Sequence, residues 1–165
     1  MRHPLAVSAA ALLLAAGAAC NAGSGPPADS ASVTASAAVP PAPEFLTPDG
    51  PPKYPFSPAV RVGDMLYLSG QIGTDSTLTL VPGGIEAEAR QAMENVKDVL
   101  ARTGSSMDRV VKCTIFMADM REWPTMNGIY ATYFPDHYPA RSAFGATALA
   151  LGARVEIECM AVAGT

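Results

Sequence analysis

The residue types in this chain that could do chemistry gather first around one arginine. The stretch Tyr138-Pro139-Ala140-Arg141-Ser142-Ala143-Phe144 sets Arg141 at the start of a run that reads as a buried strand. The run continues through Ala146, Ala148 and Ala150, with no further charge until Arg154. Pro139 lacks a backbone donor and disfavours helix at Tyr138, so the chain enters the strand from an extended turn. A guanidinium there must be paired or exposed, because burying it alone is very costly. Two readings stand side by side. Arg141 is a structural arginine paired with a nearby Glu, or it is a clamp for a ligand carboxylate, a task that suits a planar, permanently charged, bidentate fork.

Other reactive residues are more scattered. Glu156 and Glu158 share one face of a final strand whose other face carries Val155, Ile157, Cys159 and Ala161. Such a face is solvated, or it supplies a carboxylate to a site. Ser69 has no His or Lys near it in sequence and does not read as a nucleophile. His137 is accompanied only by His3, near the chain start, so no metal site is indicated. Cys113 and Cys159 fall on strands and read as buried thiols, which an exported protein could oxidise. Trp123 and the methionines read as core or interface packing. Gly83-Gly84 opens a helix without a phosphate-loop pattern.

The elements that must position these groups are legible in the patterning. Ala59-Val60-Arg61-Val62, a Gly63-Asp64 turn and Met65 to Gly70 read as a hairpin. Gln71 to Pro82 reads as a loop or irregular hairpin. Gly83 to Thr103 is the strongest helix, with Ile85, Ala89, Ala92, Val96, Val99 and Leu100 at helical spacing and Gly104 as its C-terminal cap. A strand over 109–118 follows, then a helix over 122–134 with Pro124 in its first turn. Two last strands, 140–149 and 154–163, meet at Leu151-Gly152. The order β-β-α-β-α-β-β predicts an α+β layer with both helices on one face of the sheet.

Composition bounds the rest. The chain has 165 residues, 49% of them apolar, enough for one domain with a real core. A net charge of −4 gives nucleic-acid binding little electrostatic support. Residues 1–20 read as an export signal: Arg2, an apolar run from Leu5 to Ala19, then small residues before Cys20. This resembles a bacterial lipoprotein signal in which Cys20 is lipidated and becomes the mature N-terminus. Gly17 stands where a larger aliphatic is usual, and a plain secretory signal cut near Ala19 is the alternative. Residues 21–52, rich in Ala, Ser, Gly, Pro and Thr, read as a disordered tether. The folded domain is expected over 53–165.

Over residues 55–163 the chain resembles the Rid family of reactive intermediate (imine) deaminases. The resemblance is carried by Ser69-Gly70-Gln71-Ile72-Gly73, by Ala89 to Val96, by Val110-Val111-Lys112-Cys113-Thr114, by Asn127-Gly128-Ile129-Tyr130, by Pro139-Ala140-Arg141-Ser142 and by Val155-Glu156-Ile157-Glu158. It implies a chorismate-mutase-like fold, a homotrimer with clefts between subunits, and no cofactor or metal. The implied reaction is hydrolysis of a 2-imino acid, or its enamine tautomer, to a 2-keto acid and ammonia. Arg141 would hold the substrate carboxylate and Glu156 would be the acid/base that positions water. Ser69, Gly70 and the backbone around Ala143 would line the pocket, and Asn127 would support the cleft. Two positions depart from the family pattern: Phe56 stands where many deaminating members have Tyr, and Ala143 where Cys is frequent. A non-catalytic trimeric ligand-binding protein is the second expectation, and a ribonuclease or translation inhibitor the third. Expected contacts are a small 2-imino or 2-keto acid and other copies of the chain. No nucleic acid is expected, and membrane contact only through the N-terminal lipid of an exported, periplasmic protein.

Overall fold

The structure is a computed structural model that describes residues 41–164. The signal segment, Cys20 and residues 21–40 of the tether lie outside the described residues.

Strands β2 (Ala59–Val62) and β3 (Met65–Leu68) form the hairpin, with Gly63 at φ 58 in its turn, a left-handed conformation that glycine adopts freely. After β4 (Gln71–Ile72) comes α1 (Gly84–Arg102), and then β5 (Val110–Met117), α2 (Trp123–Thr132), β6 (Ala140–Gly145) and β7 (Val155–Val162). A further strand, β1 (Glu44–Leu46), pairs with β2. The ordered domain therefore begins before residue 53, inside the stretch read as tether. Phe45 and Leu46 supply a short apolar edge that the surrounding prolines conceal. The stretch 71–82, read as a loop or irregular hairpin, holds β4 and an antiparallel bridge between Thr74 and Leu80, the hairpin alternative.

The sheet runs β1-β2-β3-β7-β5-β6, with β4 also on β7. Antiparallel neighbours meet everywhere except β5 and β6, which are parallel and joined through α2. A parallel pair needs a crossover of this kind. Both helices pack on one face. Glu88, Ala89, Ala92, Met93, Val96 and Leu100 of α1 and Met126, Ile129 and Tyr130 of α2 are buried against Leu66, Leu68, Cys113, Ile115, Met117, Val155, Ile157, Cys159 and Ala161. Gly73 permits the closest approach: a Cβ there would lie 2.6 Å from the Glu88 carbonyl oxygen. Asn95 of α1 donates to the carbonyls of Ile72 at 2.9 Å and Thr74 at 3.0 Å, tying β4 to the helix.

Two expectations are corrected here. The strand carrying Arg141 ends at Gly145 rather than 149, and it is a largely exposed edge strand, not a buried one. Among the described residues no strand lies outside it, and its last ladder contact is Ala146 N–H to the Met117 carbonyl at 2.8 Å. Cys113 and Cys159 are buried as expected, at 0% and 2% exposure, but they are bonded to each other across the β5–β7 register pair. They close a loop of sequence separation 46 that contains α2 and β6. Replacing both with Ala should lower unfolding stability by about 2–4 kcal/mol. Urea denaturation of the oxidised protein, its reduced form and the double variant checks this; equal midpoints would contradict it.

Candidate active site

The geometry starts from the parallel pair β5–β6. Cys113 faces the helices, and its partner Arg141 points the same way, as lateral neighbours in a sheet do. At the sheet edge this brings the guanidinium onto α2. Trp123, Asn127 and Tyr130 recur at i, i+4 and i+7, one face of a helix. The Arg141 Cζ lies 4.7 Å from the centroid of the Trp123 ring and 4.7 Å from that of Tyr130. One guanidinium N–H donates to Asn127 Oδ1 at 2.8 Å. Among the described residues, no carboxylate lies in ion-pair range of Arg141. The reading of Arg141 as the partner of a structural Glu is therefore not what the fold shows. Ala143, on the same face, packs half-buried against the core.

The start of α2 is fixed from behind. Buried Glu88 accepts the Arg154 backbone N–H at 2.8 Å, and the Arg154 guanidinium donates to Glu122 Oε1 at 2.6 Å. This chain joins α1, the entry to β7 and the residue preceding Trp123.

Glu156 belongs to the other side of the sheet. Val155, Ile157 and Cys159 are buried under the helices, so Glu156 and Glu158 face away from them. Two residues along β7 from Glu156, opposite Glu158, the sheet changes neighbour. Tyr67 pairs with Met160, but Gln71 pairs with Ile157, a slip of one residue absorbed at Ser69-Gly70. Irregularities of this kind commonly sit beside functional sites. The absent side chain at Gly70 makes room for the carboxylate: a Cβ built there would lie 2.8 Å from Glu156 Cδ and overlap its oxygen. Ser69 Oγ donates to the Ser57 carbonyl at 2.7 Å, holding the loop that presents Phe56. Phe56 is 56% exposed and stacks on Tyr54 with 5.8 Å between centroids. Burial raises the Glu156 pKa above the ordinary glutamate range, and the nearby Glu158 charge adds to the rise.

The expected site residues thus form two groups. Arg141, Asn127 and Ala143 lie on the helix side at the β6 edge. Glu156, Gly70, Ser69 and Phe56 gather around β7 and the β3–β4 break, with Glu156 on the opposite face. Trp123 and Tyr130 were not singled out for the site. Their spacing about Asn127 is the signal that could have shown them, but it is also ordinary core periodicity.

Comparison with known proteins bears on the fold and the family. The family description "Endoribonuclease L-PSP" matches residues 47–163. A mouse protein named 2-iminobutanoate/2-iminopropanoate deaminase is 48% identical over 111 residues, covering 67% of this chain and 82% of its own. A Rid-family protein of Yersinia pestis superposes with TM-score 0.68 at 38% identity, over 73% of this chain and 99% of that one. Escherichia coli TdcF, solved with bound serine, superposes with TM-score 0.64 at 31% identity, over 72% and 96%. The mixed sheet with two helices on one face is the chorismate-mutase-like fold of these proteins. The chain belongs to the endoribonuclease L-PSP family, the Rid proteins, in which relatives are named as imine deaminases.

In a carboxyl-carbon NMR titration, Glu156 should titrate above an ordinary glutamate, and Glu158→Gln should lower its midpoint without restoring it, because burial is the larger cause. A raised pKa in the folded state means that ionisation of Glu156 opposes folding once pH exceeds the unfolded value. Glu156→Gln should therefore be as stable as wild type, or more so, at neutral pH. A midpoint at the ordinary value would contradict both statements.

Proposed function

We propose that the protein is a hydrolytic deaminase of reactive 2-imino acids and their enamine tautomers, of the 2-aminoacrylate and 2-iminopropanoate type, releasing a 2-keto acid and ammonia. The observation that carries this reading is a guanidinium held by two aromatic faces and an amide oxygen, with no acidic partner in reach among the described residues. Such a group is prepared for an external carboxylate. The serine bound in one solved relative carries an α-carboxylate, the group that such a guanidinium would take.

In this reading Arg141 fixes the carboxylate and so places the adjacent C=N carbon, much of the rate gain being positional. Glu156 takes a proton from water as its oxygen attacks that carbon. It returns that proton to nitrogen, giving a carbinolamine, then takes the proton of the new hydroxyl and passes it to nitrogen as the C–N bond breaks, so that ammonia leaves and the C=O bond forms. A carboxylate with a raised pKa suits both halves of that transfer. Phe56 contributes an apolar wall without a hydroxyl.

Arg141 and Glu156 face opposite sides of one chain's sheet, so the complete site is inferred to form between copies, in a homotrimer. Tyr67, Phe144 and Met160 lie on the face away from α1 and α2 and are partly exposed, an apolar surface suited to a second copy. The acidic balance argues against nucleic acid as the substrate.

Arg141→Ala should reduce kcat/KM for small 2-imino acids by more than about a hundredfold, because two charge-assisted bonds are lost, with Lys restoring only part. Glu156→Gln should cost about 10²–10⁴-fold. Co-expressing the two variants should restore activity above either alone, with roughly a quarter of the clefts intact if neighbouring subunits combine at random. Phe56→Tyr should raise the rate. Keto-acid release above the spontaneous background is the readout. Wild-type rates equal to that background would overturn the deaminase reading in favour of a ligand-binding protein.

The protein is further proposed to be exported and anchored through a lipid on Cys20. The signal-like first residues and the buried Cys113–Cys159 bond support this, since such bonds persist in oxidising compartments. Mass spectrometry of the mature N-terminus should find a lipidated Cys20; an unmodified terminus elsewhere would sink the proposal.

A further inference from the structure

We propose that Trp123 and Tyr130 are positioning residues of the carboxylate clamp, setting the direction and rigidity of the Arg141 guanidinium by gripping it between two aromatic faces. The inference rests on the reading of Arg141 as the carboxylate-binding group. It concerns a task that the family resemblance assigned to neither aromatic.

An arginine on an exposed edge strand has four side-chain torsions to order, and free rotation of the fork would weaken any bidentate contact. Three fixed contacts act on this guanidinium from one helix face. Two rings each approach to 4.7 Å, within the range in which a cation is attracted to an aromatic face. Asn127 occupies one N–H and leaves others to a ligand. The rings are themselves immobilised. Tyr130 is 2% exposed and packs on Phe134 with 4.9 Å between centroids. Trp123 follows Glu122, which the Arg154 guanidinium anchors.

The chemistry of the grip also matters. A carboxylate in place of either ring would neutralise Arg141 and compete with substrate. Neutral aromatic faces orient the cation and leave its charge for the ligand. Burial pushes the Tyr130 phenol up to about 12, against the pull of the Arg141 charge, so the hydroxyl remains neutral through the working pH range.

Two measurements test the proposal, one of them independent of substrate. With ¹⁵N,¹³C-labelled arginine, the Arg141 side-chain resonances of wild type should show ring-current shifts away from those of exposed arginines. Trp123→Leu should move them most of the way back, and Trp123→Phe only partly. Calorimetric titration with pyruvate, a small 2-keto acid, should show affinity about tenfold weaker for Trp123→Leu, most of it recovered by Trp123→Phe. Arg141→Ala should not bind. Trp123 is the chain's single tryptophan, so its fluorescence should also respond to pyruvate in wild type and not in Arg141→Ala. Unshifted Arg141 resonances in wild type would overturn the proposal, as would wild-type pyruvate affinity in a folded Trp123→Leu. Shifted resonances without pyruvate binding by wild type would leave the grip standing and remove the carboxylate-clamp reading instead.

Discussion

The period of two along a β-strand is the constraint on which the rest of this structure depends. It sends Arg141 to the helix side of β6 and Glu156 to the open side of β7, although both are candidates for one reaction. Shifting either strand by one residue would reverse its faces and remove the arrangement. The register is held by a core that leaves little freedom. Val155, Ile157 and Cys159 are buried beneath two helices, and a covalent bond joins Cys113 to Cys159 in the central strand pair.

Around this frame the two candidate groups are tuned in opposite ways. Arg141 stands at an exposed edge, but its surroundings are neutral: two rings and an amide. Glu156 is partly desolvated and lies near a second carboxylate, which makes its proton easier to keep. One environment preserves a positive charge for a ligand; the other lowers the penalty for carrying a proton. Gly70 serves the second environment by leaving space where a side chain would displace the carboxylate.

The scaffold spends several unusual features on placing these groups. Glu88 is buried within α1, a position that charged residues seldom occupy without a partner, and its contacts run through Arg154 to Glu122, the residue that precedes α2. Asn95 and Gly73 fasten the β3–β4 break against α1. Each ties an element bearing a candidate site residue to the rigid body of the domain, in keeping with the precision that a positioned site requires.

By itself the sequence determined the helices, the hairpin, the long strands and the family, because hydrophobic period, glycine turns and motif order are local or ordered along the chain. Arg141, Glu156, Ser69, Gly70 and Asn127 stood out on motif, and Phe56 as a departure from it. Strand β1 and the short β4 were hidden, since neither is long enough to show a period and both exist through pairing. The pairing of Cys113 with Cys159 was likewise undecided, because strand register alone brings two distant cysteines opposite one another. Tertiary structure also decided what Arg141 meets. Along the chain its partner could be any Glu or a ligand. Only the parallel packing of β6 beside β5, with α2 laid across their helix-side face, sets Trp123, Asn127 and Tyr130 around it.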